Sequence, residues 1–132
     1  MIAHSRILVV DDEVMLGAAL RRLLQRAGYE VTTVRSAEEA IAWLESEPVS
    51  LVISDMLMPG LSGLELLTLV RKRWPQTLRL LVSGHYIEAE KPTAQPVFHA
   101  WLPKPWDNQD LLKLLAGLTP ALPLDFGAPA PT

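Results

Sequence analysis

Apolar residues in this chain gather in short unbroken runs separated by longer amphipathic stretches. Ile7 to Val10, Val49 to Ser54, Leu78 to Val82 and Val97 to Leu102 are four such runs, bounded by turn residues. An apolar run of this length without polar alternation suits a strand buried on both faces. A weaker fifth run, Glu30 to Val34, follows the stop at Ala27, Gly28 and Tyr29. Between the runs the period changes. Leu16, Ala19, Leu20, Leu23, Leu24 and Ala27 recur at helical spacing from Val14 to Ala27, and Gly28 suits the position just past a helix end. Ser36 and Glu39 form a capping-box pattern ahead of Ala40, Ile41 and Leu44, with Pro48 after the expected end. Ser62 to Arg73 carries Leu64, Leu67, Leu69 and Val70, while Asp107 to Leu118 carries Leu111, Leu112, Leu114 and Leu115 behind an aspartate N-cap.

From His85 to Pro96 no apolar stripe is visible, and Pro92 and Pro96 both oppose a continuing helix, so the fourth helix is expected to be short or absent. Strict alternation of strands and helices predicts an α/β fold. It is a doubly wound, five-stranded parallel sheet with right-handed crossovers and helices on both faces. The flavodoxin-like order 2-1-3-4-5 is one such sheet, and ligands then bind at the carboxyl ends of the strands, beside the point where the strand order reverses. Residues 1–118 are read as the domain. Residues 119–132, with four prolines and no amphipathic period, are read as a disordered Pro/Ala-rich tail or linker.

Composition narrows the function. Twelve basic and 15 acidic residues give a formal net charge of -3, too little basic surface to suggest nucleic acid or an anionic membrane. Without cysteine there is neither a disulfide framework nor a thiolate metal site. Met1 to Arg6 leads straight into an apolar run too short for a signal peptide or a membrane span, so the expected location is cytoplasmic.

The carboxyl ends of the expected strands collect Asp11 and Asp12, Asp55, Ser83 and Lys104. Three carboxylates within a few ångströms repel by roughly 4 kcal/mol per close pair at an effective dielectric near 20, so a cation is expected among them. A hard, oxygen-seeking ion such as Mg2+, or Mn2+ in its place, fits that donor set. Lys104 would then hold one oxygen of a phosphoryl group while the Ser83 hydroxyl donates to another, the electrostatic positioning that phosphoryl transfer needs. Each residue also has a plain structural role open to it. Asp12 could cap the first helix, Asp55 could open a turn, Ser83 and Gly84 could form one, and Lys104 could be solvated. Their convergence on four strand ends favours the chemical reading.

The runs from Ile7 to Glu13 and from Val52 to Gly63, with Val82-Ser83-Gly84 and Leu102-Pro103-Lys104-Pro105-Trp106, resemble the signature blocks of response-regulator receiver domains, in order, over roughly residues 5–117. The resemblance implies a cytoplasmic two-component phosphorelay module that catalyses only its own phosphorylation and dephosphorylation. Asp55 would be the phosphoacceptor and Asp12 a direct metal ligand, with Asp11 acting through a water on the metal and the Leu57 backbone carbonyl completing the set. Ser83 and Lys104 would hold phosphoryl oxygens, and Lys104–Pro105 would be a cis peptide. Trp101 takes the place of the switch aromatic that moves with Ser83, its plainer role being that of a half-buried strand tryptophan. Leu57 and His85 would flank the pocket. Partners implied are a histidine kinase or phosphotransfer protein and an output domain or partner protein, with homodimerisation left open. Two rivals stand beside this reading. One is a pseudo-receiver that binds partners without phosphoryl chemistry. The other is a haloacid-dehalogenase-like phosphatase, which expects Asp-x-Asp where this chain has Asp11-Asp12.

Overall fold

The computed structural model describes residues 6–84 and 96–118. Five strands, β1 (Arg6–Val10), β2 (Glu30–Val34), β3 (Leu51–Asp55), β4 (Leu78–Ser83) and β5 (Ala100–Pro103), form one sheet in the order β2-β1-β3-β4-β5. Every neighbouring pair runs parallel. Among the described residues four helices join them: α1 (Val14–Arg26), α2 (Ala37–Ser46), α3 (Gly63–Arg73) and α4 (Asn108–Leu118). The expected doubly wound architecture is therefore present. The expectation for His85 to Pro96 and that for the tail fall at residues 85–95 and 119–132, outside the described residues.

Alternate residues along the strands supply two cores, as a parallel sheet covered on both faces requires. Ile7, Val9, Ile53, Leu80, Val82 and Leu102 meet Leu20 and Leu24 of α1 and Leu111 and Leu115 of α4. On the other face Leu8, Val10, Val52 and Leu81 meet Ala40 and Leu44 of α2 and Leu66, Leu67 and Val70 of α3. Each fully buried Leu, Ile or Val stabilises the fold by about 1.5–3 kcal/mol, so the sheet ends that carry the polar residues are firmly placed.

The helix starts differ from expectation in one detail. Ser36 Oγ accepts from the Glu39 N–H, giving half of the expected box. The complete reciprocal box forms at α3: Ser62 Oγ accepts from the Glu65 N–H, and Glu65 Oε1 accepts from the Ser62 N–H. Before α4, Asp107 Oδ1 accepts from the Gln109 N–H, as its N-cap position predicts.

β5 starts at Ala100, three residues later than the apolar run suggests. The cause is Arg79, wholly buried within the apolar β4. Its guanidinium donates to the carbonyls of Pro96 and Val97, at 2.7 and 2.9 Å, and to that of Thr77. Its own N–H donates to His99 Nδ1, and the His99 N–H donates back to the Arg79 carbonyl. Pro96 and Val97 thus approach the sheet held by an arginine side chain, and His99 is held by the backbone of the same arginine.

Candidate functional site

β1 and β3 are neighbours although β2 lies on the far side of β1, so the strand order reverses between them. Asp11 and Asp12 leave β1 at that point, and Asp55 ends β3. One carboxylate oxygen from each of the three lies within 4.8 Å of the others. Asp11 and Asp55 are buried, and Asp12 is partly so.

Local bonding fixes each acid. The Asp11 N–H donates to the Val34 carbonyl, extending β1 along β2, while Asp11 Oδ1 accepts from the Glu13 N–H at 2.8 Å. Asp12 does not cap α1: the N-cap is Glu13, without a side-chain capping bond. Instead Asp12 Oδ1 is buried with no hydrogen-bond partner among the described residues.

Lys104 follows β5, and its N–H donates to the Ser83 carbonyl at 2.9 Å, tying it to the end of β4. The Lys104 ammonium lies 3.1 Å from Asp55 Oδ1 and 3.6 Å from Glu13 Oε1. The Lys104–Pro105 peptide is cis, as the sequence resemblance implies. Ser83 is buried, one register step past the Asp55–Val82 pair.

Of three other expected residues, two are among the described ones. Leu57 stands in the loop after β3 and is 60% exposed, and Trp101 is half-buried in mid-β5 opposite Leu81. His85 lies outside the described residues.

Burial pushes the Asp11 carboxyl upward, against the Glu13 N–H and the Lys104 charge, with the Asp55 charge adding to the rise. For Lys104 burial acts downward, but the hydrogen bond to Asp55 and the charges of Asp55, Asp11 and Glu13 outweigh it, so its pKa is raised. The ammonium is thus held charged by the acids it faces.

One lysine offsets one of three aspartates, so the pocket keeps an excess of negative charge. That excess, an all-oxygen donor set and the unpartnered Asp12 Oδ1 fit a hard divalent cation.

Two residues at the site carry no role in the sequence reading. Glu13 gives Lys104 a second carboxylate. Gly63 packs so close to β3 that a Cβ there would stand 2.1 Å from the Asp55 carbonyl oxygen and 2.8 Å from its carbon. The Gly63 N–H donates to the Met56 carbonyl at 2.8 Å, so the first turn of α3 rests on the end of β3. In sequence this approach shows only as a glycine directly after Ser62, at the end of the Val52 to Gly63 run.

A family model described as the response regulator receiver domain matches residues 7–116. The chain belongs to that family. As a receiver domain it is a signalling module of two-component response regulators. It is 44% identical over 112 residues to the hydrogenase transcriptional regulatory protein HoxA of Cupriavidus necator, covering 83% of this chain and 23% of that protein. The receiver spans about a quarter of the length of such curated relatives. Among solved structures it resembles the chemotaxis response regulator CheY4 of Vibrio cholerae, with a TM-score of 0.78 and 30% identity over 88% of this chain and 99% of that one. It also resembles the response regulator protein TrrA from Thermotoga maritima in complex with Mg(2+)-BeF, with a TM-score of 0.76 and 32% identity over 86% of this chain and 98% of that one. No helix among the described residues is long and apolar enough to cross a membrane.

Proposed function

We propose that this receiver accepts a phosphoryl group on Asp55 from the phosphohistidine of a histidine kinase or phosphotransfer protein, and relays the change to an output domain or partner. The observation that carries the reading is the Asp55 carboxylate itself. It is buried, bound by Lys104 through one oxygen, and within 4.8 Å of two further acids.

Asp11, Asp12, Asp55 and the Leu57 carbonyl would hold Mg2+ or Mn2+. When bound, the ion neutralises charge that develops on the transferring phosphoryl group. The residues of the chain do the rest. An Asp55 oxygen attacks phosphorus in line, the bond from phosphorus to the donor imidazole breaks, and that nitrogen leaves with the electron pair. Lys104 and the Ser83 hydroxyl bind phosphoryl oxygens, stabilising charge without any covalent role of their own. Hydrolysis of the acyl phosphate at the same site reverses the modification, so the chemistry is confined to the domain itself.

Phosphorylation adds roughly -1.5 to -2 charge. Ser83 moving toward the phosphoryl group, with Trp101 following, would carry the change to the β4–β5 edge. A nearly complete switch needs about 5.5 kcal/mol of differential stabilisation. Leu57 and His85 would flank the pocket and set how readily water reaches the acyl phosphate. The domain is taken to end at residue 118 and to act in the cytoplasm, passing its signal by protein contacts. The family match over residues 7–116 supports that extent, and the match to transcriptional regulators supports an output domain.

Incubation with Mg2+ and acetyl phosphate, followed by a phosphate-affinity gel, tests the reading. Wild type is expected to give a retarded band that Asp55→Asn lacks. Identical migration of the two would overturn it.

A further inference from the structure

Ser54 is the one polar residue ahead of Asp55 in a strand buried along its whole length. It is 0% exposed, paired in register with Val10 on one side and Leu81 on the other. Two positions from Val52, it falls on the face that packs against α2 and α3. A hydroxyl among such neighbours costs stability unless it is hydrogen-bonded, and an aliphatic side chain would bury more apolar surface. Packing therefore gives no reason for a serine at this position.

Its hydrogen bond does. Ser54 Oγ donates to the Asp55 carbonyl at 3.0 Å. The amide of the same peptide plane, the Met56 N–H, donates to the Val82 carbonyl at 2.8 Å. Both polar groups of the Asp55–Met56 peptide are thus held, one by a side chain of β3 and one by β4. The next carbonyl, that of Met56, accepts from the Gly63 N–H, and Gly63 lies against the Asp55 carbonyl itself. A peptide plane fixed in this way determines where the Asp55 side chain leaves the backbone and how the chain proceeds to Leu57.

We propose that Ser54 is a positioning residue for the phosphoacceptor site. Its hydroxyl sets the Asp55–Met56 peptide so that the Asp55 carboxylate and the Leu57 carbonyl stand in register for one cation and one phosphoryl group. The proposal rests on the reading of Asp55 as phosphoacceptor and Leu57 as a carbonyl ligand. It adds a residue that touches neither metal nor phosphorus and acts through Asp55.

Threonine and valine have nearly the same shape and differ in the hydroxyl, so Ser54→Thr and Ser54→Val in the full chain separate positioning from packing. Ser54→Ala, which adds no volume, serves where the larger pair disturbs the core. Three quantities are read for each: Mg2+ affinity by calorimetry, the phosphorylation rate with acetyl phosphate at saturating Mg2+, and the melting temperature. Loss of the hydroxyl in Val and Ala is expected to weaken Mg2+ binding about five- to tenfold, the scale of one neutral hydrogen bond, and to slow phosphorylation at saturating Mg2+ as well. Ser54→Thr is expected to restore both toward wild type. Equal Mg2+ affinities and rates for Thr and Val, or an Ala variant that differs from wild type only in melting temperature, would overturn the proposal. If wild type took up no phosphoryl group the phosphoacceptor reading would fall, and the Mg2+ affinities would still decide the role of Ser54.

Discussion

The Lys104 ammonium lies 3.1 Å from Asp55 Oδ1, joining the end of β5 to the end of β3 across the intervening β4. The contact sets the resting charge of the pocket, because Asp55 is 6% exposed and has little access to water in its place. Lys104→Met therefore leaves a buried carboxylate without its donor, at a cost of about 1–3 kcal/mol in metal-free protein. Added Mg2+ should raise the melting temperature of this variant more than that of wild type, since the ion replaces the missing positive charge. Phosphorylation should nevertheless slow by tenfold or more, the order expected when a charged group that stabilises the transferring phosphoryl is lost. Thermal melts with and without Mg2+, beside a phosphorylation time course, check both halves.

The raised pKa of Asp11 has a definite sign. Burial is the largest cause and disfavours the ionised form in the folded state, so the folded protein binds this proton more tightly than the unfolded chain does. The favourable contribution is present at acid pH and is lost as pH rises through the folded pKa, which makes ionised Asp11 a burden in metal-free protein at neutral pH. Asp11→Asn keeps an oxygen for the Glu13 N–H and removes the charge. It should raise the metal-free melting temperature at pH 7, with the gain fading as pH falls into the carboxylate range. It should also weaken the stabilisation that Mg2+ gives. Melting curves against pH, in chelator and in excess Mg2+, read out both effects.

Lys104 runs the other way at the alkaline end. Its burial lowers the pKa, but the Asp55 hydrogen bond and the surrounding acids raise it further, so its contribution holds below the ordinary lysine pKa of 10.5 and is lost as pH climbs through the raised value. Wild type should therefore lose stability at strongly alkaline pH more steeply than Lys104→Met, a difference that melts in that range measure.

Gly63→Ala should be severe. A Cβ 2.1 Å from the Asp55 carbonyl oxygen cannot be accommodated without moving backbone, and overpacking of that kind costs about 1–3 kcal/mol or more. The displacement falls on the peptide that carries Asp55, so phosphorylation should slow together with the loss of stability. Gly117→Ala in α4 is the control. Nothing among the described residues lies within 4 Å of its added Cβ, and replacing a helical glycine should stabilise by about 0.5–1 kcal/mol. Denaturant midpoints for the two variants should shift in opposite directions.

The sheet was legible because burial on both faces turns each strand into an apolar run, as in Ile7 to Val10. It was illegible where a polar side chain replaced the ladder. Arg79 sits inside the run Leu78 to Val82, and its guanidinium, rather than the sheet, holds Pro96 and Val97. Residue order alone does not reveal a buried arginine bonded to carbonyls far along the chain. The site was legible at Asp11, Asp12, Asp55 and Lys104 because parallel strands bring their carboxyl ends to one edge, where composition and position coincide. Glu13 and Gly63 escaped because their importance depends on distances that no spacing rule encodes: 3.6 Å from Glu13 to Lys104, and the 2.1 Å that would separate a Cβ at residue 63 from the Asp55 oxygen. Ser54 escaped for a related reason: in sequence it only ended an apolar run.

The most direct test of the central claim is peptide mapping by mass spectrometry after acetyl phosphate treatment, with the acyl phosphate trapped by borohydride reduction and Mg2+ either supplied or chelated. The account predicts one modified residue, Asp55, labelled only when Mg2+ is present. Labelling of any other residue, or labelling of Asp55 that is indifferent to the metal, would contradict it.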